Sequence, residues 1–160
     1  MKSQTELELT EAAFTNITAH AMETYPEECC GVVLSNADLE EVRPLENIQN
    51  LLHAKDPETF PRDARTAYTM DYRVLDALMA EADGRGLRVK AFYHSHPDHD
   101  AYFSEEDRAF ATPFGEPTYP DTAQLVVSVQ KGIAGKVGVY LWNPATEDFM
   151  EIEIKRVPGD

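Results

Sequence analysis

Two histidines one residue apart, His94 and His96, are the part of this sequence with the clearest chemical potential. They follow a run of strand-forming residues, 89–93. Alternate side chains of an extended segment point to the same side, so both imidazoles can face one point if this geometry continues through Ser95. Neutral imidazole nitrogens are good zinc ligands, which bind the metal at about 2.0–2.1 Å.

Three further residues can complete a hydrolytic site. Asp107 lies on the first turn of a predicted short helix, where a loop of this length can return it to His94 and His96 as a third ligand. Two histidines and one carboxylate leave a fourth position for water, as in catalytic zinc sites. Glu28, distant in sequence at the edge of a predicted strand, is suited to accept and return a proton. Ser104 is suited to donate a hydrogen bond to a developing oxyanion.

The same residues also have plainer interpretations. Segment 94–97 could be an ordinary polar turn after a strand. Ser104 and Asp107 have the spacing of a helix N-cap and its N3 partner, a role that is compatible with catalysis. Glu28 beside Glu27 is by default part of a solvent-exposed acidic pair. The aromatic residues Tyr93, Tyr102 and Phe103 are expected to be packing residues and not substrate platforms.

Hydrophobic periodicity predicts the elements that position these residues. A first helix is expected at about 11–25, with Thr10 as its N-cap, followed by a buried strand at 29–34 and a hairpin partner at 39–43. Segment 44–66 contains prolines and charges with little periodicity, which predicts a long loop and a candidate flap. The remaining expected elements are a short strand at 67–70, a helix capped by Asp71 and stopped near Gly84 or Gly86, a strand at 89–93, a polar loop at 98–103, a short helix at 104–111, and strands at 122–130, 137–142 and 149–157.

Composition limits the class of protein. The 160 residues, 42% of them hydrophobic, are expected to form one domain spanning 1–160. The net charge of -15 argues against nucleic acid and anionic membranes as partners. It leaves open adaptation to high salt, solubility and a basic partner. The sequence has no long apolar span and no signal-peptide pattern, which predicts a cytoplasmic protein. Adjacent Cys29 and Cys30 are expected to be reduced and buried.

Taken together, three motifs resemble the signature of the JAMM/MPN metalloproteases. They are Glu28-x-Cys30-Gly31, His94-Ser95-His96-Pro97 and Ser104-x-x-Asp107, with seven residues between His96 and Ser104. The likeness extends along the chain to Asn47, Tyr68, Asp71 and the strand after Tyr119-Pro120. The spacing to Cys30-Gly31 is what favours Glu28 over Glu27.

The resemblance implies an α/β fold with one mixed sheet flanked by helices, similar to cytidine deaminases. It also implies one zinc ion held by His94, His96 and Asp107, Glu28 as the base and Ser104 at the oxyanion. The implied activity is hydrolysis of a peptide or isopeptide bond. This chain resembles the compact prokaryotic members, so the expected partner is a ubiquitin-like or sulfur-carrier protein with a Gly-Gly tail.

Two departures and three alternatives accompany this interpretation. Phe103 replaces a common proline, and His99 adds an imidazole near the site. A non-catalytic MPN scaffold is disfavoured by the complete ligand set. A phage-tail or cell-wall peptidase module is disfavoured because no second hydrolase domain follows. A nucleoside deaminase would need Cys-x-x-Cys and His-x-Glu motifs, and both are missing.

Overall fold

A computed structural model describes residues 4–159, which form a seven-stranded mixed sheet with helices on both faces. The strand order is β1-β7-β6-β5-β4-β2-β3. In chain order the elements are β1 (Glu6–Thr10), α1 (Glu11–Thr24), β2 (Cys30–Ser35), β3 (Glu40–Leu45), α2 (Gln49–Lys55), α3 (Tyr72–Gly84), β4 (Arg88–Pro97), α4 (Glu105–Ala111), β5 (Ala123–Gln130), β6 (Ile133–Asn143) and β7 (Asp148–Val157).

The sheet separates two apolar layers. Helix α1 packs on one face through Ala13, Ile17 and Ala21. Helix α3 packs on the other face through Leu78 and Ala82. Fully burying a side chain the size of Ile17 contributes about 1.5–3 kcal/mol. Neighbouring residues of a strand point to opposite faces, and both faces of the central strands are covered. These strands are therefore continuous apolar runs and not alternating ones.

The two cysteines illustrate this alternation. Cys29 belongs to the α1 layer and Cys30 to the α3 layer, and both are free and buried, as expected from the sequence. Burial raises the pKa of the Cys29 thiol to about 12. Neither thiol therefore has the properties of a nucleophile.

A close contact across two antiparallel strands explains the glycine that follows Cys30. Gly31 on β2 lies opposite Tyr93 on β4, and a Cβ at Gly31 would lie 2.3 Å from the tyrosine ring. Tyr93 is fully buried, and its hydroxyl makes a 2.7 Å hydrogen bond with Nδ1 of His20 on α1. Only glycine leaves room for this ring.

The start of α1 is fixed by contacts from two parts of the chain. The Thr10 hydroxyl accepts from the backbone N–H of Ala13 at 3.1 Å, as a helix N-cap does. The backbone N–H of Thr10 donates to the Glu40 carboxylate on β3 at 2.7 Å. Glu40 also forms a mostly buried ion pair with Lys90 of β4. These contacts tie the helix end to the sheet.

The structure corrects the sequence prediction in four places. Strand β1 was not predicted, because its pairing partner is β7, which lies at the other end of the chain and pairs with it in parallel. Segment 44–66 is not one long loop, because α2 lies within it; this helix has seven residues and no side-chain N-cap, so local signals are weak. The expected strand at 67–70 is reduced to an isolated bridge between Asn47 and Met70. Strand β6 begins at Ile133, earlier than expected.

Other expectations are confirmed. Thr10, Asp71 and Ser104 cap their helices, and the extended geometry of β4 continues through Ser95 to Pro97. Within residues 4–159, no helix is long and apolar enough to cross a membrane.

Candidate active site

The end of β4 and the start of α4 bring three metal-ligand side chains together. His94 Nε2 lies 3.2 Å from His96 Nε2, and both nitrogens lie 3.1 Å from Oδ2 of Asp107. All three residues are buried. Strand alternation places the two imidazoles on one side of β4, and the turn after Pro97 returns α4 to them.

That turn uses an unusual backbone conformation. Asp98 has a φ of 58°, in the left-handed region that Asp tolerates better than most residues. Its side chain accepts hydrogen bonds from the Tyr25 hydroxyl at 2.7 Å and from the backbone N–H of Lys131 at 2.8 Å. The chain is therefore held where it leaves the sheet towards α4.

The hydrogen bonds of His96 fix its tautomer. Its Nδ1 lies 2.9 Å from the carbonyl oxygen of Asp100, which can only accept, so Nδ1 carries a hydrogen. In a neutral imidazole the lone pair is then on Nε2, where it faces the Asp107 carboxylate. Two acceptors at this separation repel each other unless a proton or a metal cation lies between them. The lone pairs of these atoms can therefore be ligands of a metal ion. The Asp100 contact is the outer hydrogen bond typical of metal-binding histidines.

The contacts within the cluster shift the pKa values of His96 and Asp107. Burial lowers the pKa of His96, but Asp107 and the Asp100 carbonyl raise it by more, so the net pKa is above its usual value. Burial raises the pKa of Asp107, but His94, His96 and the N–H of Ser104 together hold it well below its usual range. Asp107 thus stays ionised. A bound cation would replace the proton that His96 otherwise takes up.

Asp107 is oriented by the first turn of α4. The Ser104 hydroxyl accepts from the Asp107 N–H at 3.0 Å, and the Asp107 carboxylate accepts from the Ser104 N–H at 3.0 Å. This reciprocal pair is a capping box. Because the hydroxyl acts as an acceptor in the cap, its own hydrogen remains able to donate into the adjacent cavity.

A tyrosine that the sequence did not assign to the site orients His94. Tyr68 stacks on the His94 ring with centroids 4.5 Å apart and an interplanar angle of 24°. His94 is buried, and its Nδ1 has no hydrogen-bond partner within residues 4–159. The position of this ring therefore depends on packing against Tyr68 and not on a second hydrogen bond.

Glu28 lines the same cavity, whereas Glu27 does not. Glu28 is 6% exposed and lies immediately before β2. Burial raises its pKa to about 8, an effect opposed by His96, increased by Asp107 and opposed by Arg62. Glu27 is half-buried and accepts a 2.8 Å hydrogen bond from Asn50 on α2. The structure thus places the two neighbouring carboxyl groups in different surroundings, and only Glu28 lines the cavity.

The cavity has a volume of about 470 Å³. Its lining includes Glu28, His96, Ser104 and Asp107, together with Phe60, Arg62 and residues 66–69. Arg62 spans part of the rim through an ion pair with Glu106 of α4 at 3.1 Å. His99 also lines the cavity but is exposed and is not one of the three clustered donors. Tyr68 and Arg62 were not predicted as site residues, because their contacts with His94 and Glu106 join segments that are distant in the sequence.

Aromatic residues near the site have mixed roles. Tyr93 packs in the core, as expected. Phe103 packs against Tyr140 and Phe149. Tyr102, also expected to be a packing residue, is 51% exposed and contacts the His96 ring at the cavity edge. The expectation for Tyr102 is therefore wrong, because its loop carries it outside the core.

Fold and site together define a mixed α/β protein in which the internal strand β4 and the helix α4 form a buried His-His-carboxylate cluster beside a cavity. The model of the prokaryotic homologs of the JAB domain matches residues 10–143, a range that includes every site residue named above. The chain belongs to this family, which confirms the JAMM/MPN resemblance.

Individual relatives extend the comparison over nearly the whole chain. A desampylase of Haloferax volcanii is 26% identical over 156 residues, covering 95% of this chain and 97% of that protein. The solution structure of a protein from Desulfitobacterium hafniense has a TM-score of 0.70 at 22% identity, covering 95% and 93% of the two chains. The crystal structure of a JAB1/MPN domain protein from Archaeoglobus fulgidus has a TM-score of 0.51 at 16% identity, covering 92% and 98%. The expected mixed α/β fold of the family is thereby confirmed.

Proposed function

We propose that this protein is a zinc-dependent isopeptidase that cleaves the bond following the Gly-Gly tail of a ubiquitin-like or sulfur-carrier protein. The observation that carries the proposal is the facing pair of acceptors, His96 Nε2 and Asp107 Oδ2, 3.1 Å apart in a buried cluster with His94. Such a pair fits a cation. Family membership and the relationship to a desampylase support the reaction class and the substrate.

In this proposal His94, His96 and Asp107 hold the zinc ion. When bound, the metal supplies Lewis-acid chemistry that lowers the pKa of water and polarises the scissile carbonyl. Imidazole Nε2 atoms and one carboxylate oxygen are ligands that zinc accepts, and three protein ligands are typical of a catalytic site.

Glu28 is the proposed proton carrier. Its carboxyl group lies at the cavity wall and is largely removed from solvent. It takes a proton from the attacking water and delivers it to the leaving amine. In the metal-free protein burial raises the pKa of this carboxyl group to about 8. A cation bound beside it would lower this pKa again, towards the neutral range in which one group can both accept and return a proton. Ser104 donates its free hydroxyl hydrogen to the oxyanion, while its oxygen continues to cap α4.

Direct cleavage of a defined conjugate tests this function. The zinc-loaded protein is incubated with a ubiquitin-fold carrier whose Gly-Gly end is joined to a lysine of a reporter protein, and products are identified by intact mass. The expected product is free carrier ending in Gly-Gly. A matched conjugate in which Ala-Ala replaces Gly-Gly at the junction tests whether cleavage requires the Gly-Gly tail.

Variants of the two neighbouring carboxylates provide matched controls. Glu28→Gln should retain zinc and lose hydrolysis by about 10²–10⁴-fold, the usual contribution of general acid–base catalysis. Glu27→Gln changes a similar side chain one residue away that bonds Asn50 instead of lining the cavity, and it should stay active. No cleavage by the zinc-loaded wild type, or equal cleavage by Glu28→Gln, would contradict the proposal. The first of these results, with zinc bound, would favour a non-catalytic MPN scaffold.

A further inference from the structure

One side-chain amide joins the segment that carries Glu28 to residues 67–69, which also line the cavity. Nδ2 of Asn47 donates to the carbonyl oxygens of Glu28 at 2.9 Å and Ala67 at 3.1 Å. Oδ1 of Asn47 accepts from the backbone N–H groups of Gln49 at 3.0 Å and Thr69 at 3.1 Å. Both hydrogens and both acceptor sites of the amide are therefore used.

Glu28 depends on such contacts because it lies outside the sheet ladder. Strand β2 begins only at Cys30. The N–H of Glu28 donates to the carbonyl oxygen of Ala64 at 2.7 Å. The next N–H, of Cys29, donates to the Ser95 hydroxyl at 2.8 Å. The carbonyl oxygen of Cys29 accepts from the backbone N–H of Ser95 at 3.2 Å, and the carbonyl oxygen of Glu28 accepts from the Asn47 amide. Asn47 therefore supplies one of four anchors of residues 28–29.

The same amide links Glu28 to a second segment that lines the cavity. Ala67 and Thr69 line the cavity together with Tyr68, whose ring stacks on His94. Asn47 lies at the start of the turn leading into α2, and Gln49 of this helix accepts a hydrogen bond from the Thr69 hydroxyl at 2.7 Å. The 67–69 segment and Glu28 are thus held by one side chain.

We propose that Asn47 is a positioning residue for hydrolysis, which acts by fixing the Glu28 carboxyl group relative to the reacting bond. The inference rests on the proposed function of Glu28. Its physical basis is the steep dependence of reaction rate on alignment, where a displacement of about 1 Å can cost about 10²-fold. Asn47 itself touches none of the three clustered donors that would hold zinc, since its four bonds all go to backbone groups.

Asn47→Ser is the test variant, because serine is uncharged and too short to bridge the two segments. Asn36→Ser is the matched control. Asn36 also ties loop backbone together, accepting from the N–H groups of Asp38 at 2.8 Å and Leu39 at 2.9 Å, but it lies beyond the other end of β2. Each variant is loaded with zinc, and kcat, KM, zinc content and the thermal midpoint are measured on the carrier conjugate described above.

The expected result is a fall in kcat of about tenfold or more for Asn47→Ser, with KM changed by less than about threefold and zinc content unchanged. Asn36→Ser should lower the thermal midpoint without lowering kcat. In a Glu28→Gln background, Asn47→Ser should have no further effect on residual hydrolysis, since the group that it positions is already absent. A merely structural role would lower the residual rate again by a similar factor.

The outcomes separate the inference from the proposed function. Full activity of Glu28→Gln overturns the proposed function. Loss of activity in Glu28→Gln together with full activity in Asn47→Ser overturns only the positioning role, as does loss of zinc from Asn47→Ser. If Asn47→Ser does not fold, Asn47→Asp replaces it, because Asp retains the two acceptor contacts and removes the donors. Failure of both variants to fold would assign Asn47 to stability and would also overturn the inference.

Discussion

Replacing Glu28 with Gln should make the metal-free protein more stable while removing its activity. Burial raises the pKa of the Glu28 carboxyl group from its ordinary value of 4.5 to about 8. The folded protein therefore holds this proton more tightly than the unfolded chain does. Between these two pH values the folded state binds more protons, so raising the pH favours unfolding. Gln has the shape of the protonated carboxyl group and does not titrate.

The size of the effect follows from the pKa shift. At pH 7 the unfolded chain has lost this proton almost completely, while the folded protein mostly keeps it, and the cost to the folded state is about 3 kcal/mol. Glu28 is 6% exposed, so solvent screening reduces this figure little. The difference between the variant and the wild type should be small at pH 4.5, grow as the pH rises, and level off above pH 8.

Urea denaturation of both proteins in the presence of a chelator, at several pH values between 4.5 and 8.5, measures this difference as a free energy of unfolding. Hydrolysis of the carrier conjugate is measured on the zinc-loaded forms of the same preparations. The Glu28→Gln protein should be more stable and inactive, because the wild type buries an ionisable carboxyl group for its function at a cost in stability. The same pH dependence of stability in both proteins would refute this explanation.

Further predictions concern the scaffold that holds the site. Glu40→Gln should destabilise the protein by about 3 kcal/mol at pH 7, since it leaves Lys90 mostly buried without its carboxylate partner. Burial raises the pKa of Glu40, but Lys90 and the helix N–H lower it by more, so the net pKa is depressed. The stabilisation is therefore present above the ordinary pKa and lost as the pH falls through the folded pKa, and denaturation curves of the two proteins should converge in acid. Gly31→Ala should destabilise by about 1–3 kcal/mol or prevent folding, because its Cβ would meet the Tyr93 ring at 2.3 Å. Gly84→Ala, where the Cβ meets nothing within 4 Å, should stabilise by up to about 1 kcal/mol in the same urea assay, and equal effects at both glycines would contradict the packing argument.

The cluster of His94, His96 and Asp107 was predictable because the sequence patterns that place these residues lie within short segments of the chain. Alternation along one strand places His94 and His96 on the same side. The Ser-x-x-acid spacing that begins a helix also fixes the orientation of Asp107, so the capping signal and the candidate ligand signal coincide. The two long helices were predicted for a similar reason, since each has an apolar stripe and a capping side chain.

The unpredicted parts depend on contacts between distant segments. Helix α2 has seven residues and no capping side chain, so its stability comes from tertiary contacts such as those of Asn47 and Gln49. Strand β1 forms only because β7 returns beside it from the end of the chain. The spacing to Cys30-Gly31 already favoured Glu28 over Glu27, but the physical difference between the two depends on the Asn50 contact and on burial in the cavity, which the sequence does not show.

The zinc content of the purified protein tests the central claim most directly. Wild type, His96→Ala and Glu28→Gln are reconstituted with zinc, dialysed without chelator and compared at equal concentration by elemental analysis. The proposed site predicts close to one zinc ion per chain in wild type and Glu28→Gln, and a large loss in His96→Ala, which lacks one of the three clustered donors. A wild type that cannot hold zinc, or a His96→Ala protein that holds as much, would contradict the assignment of this cluster as a metal centre.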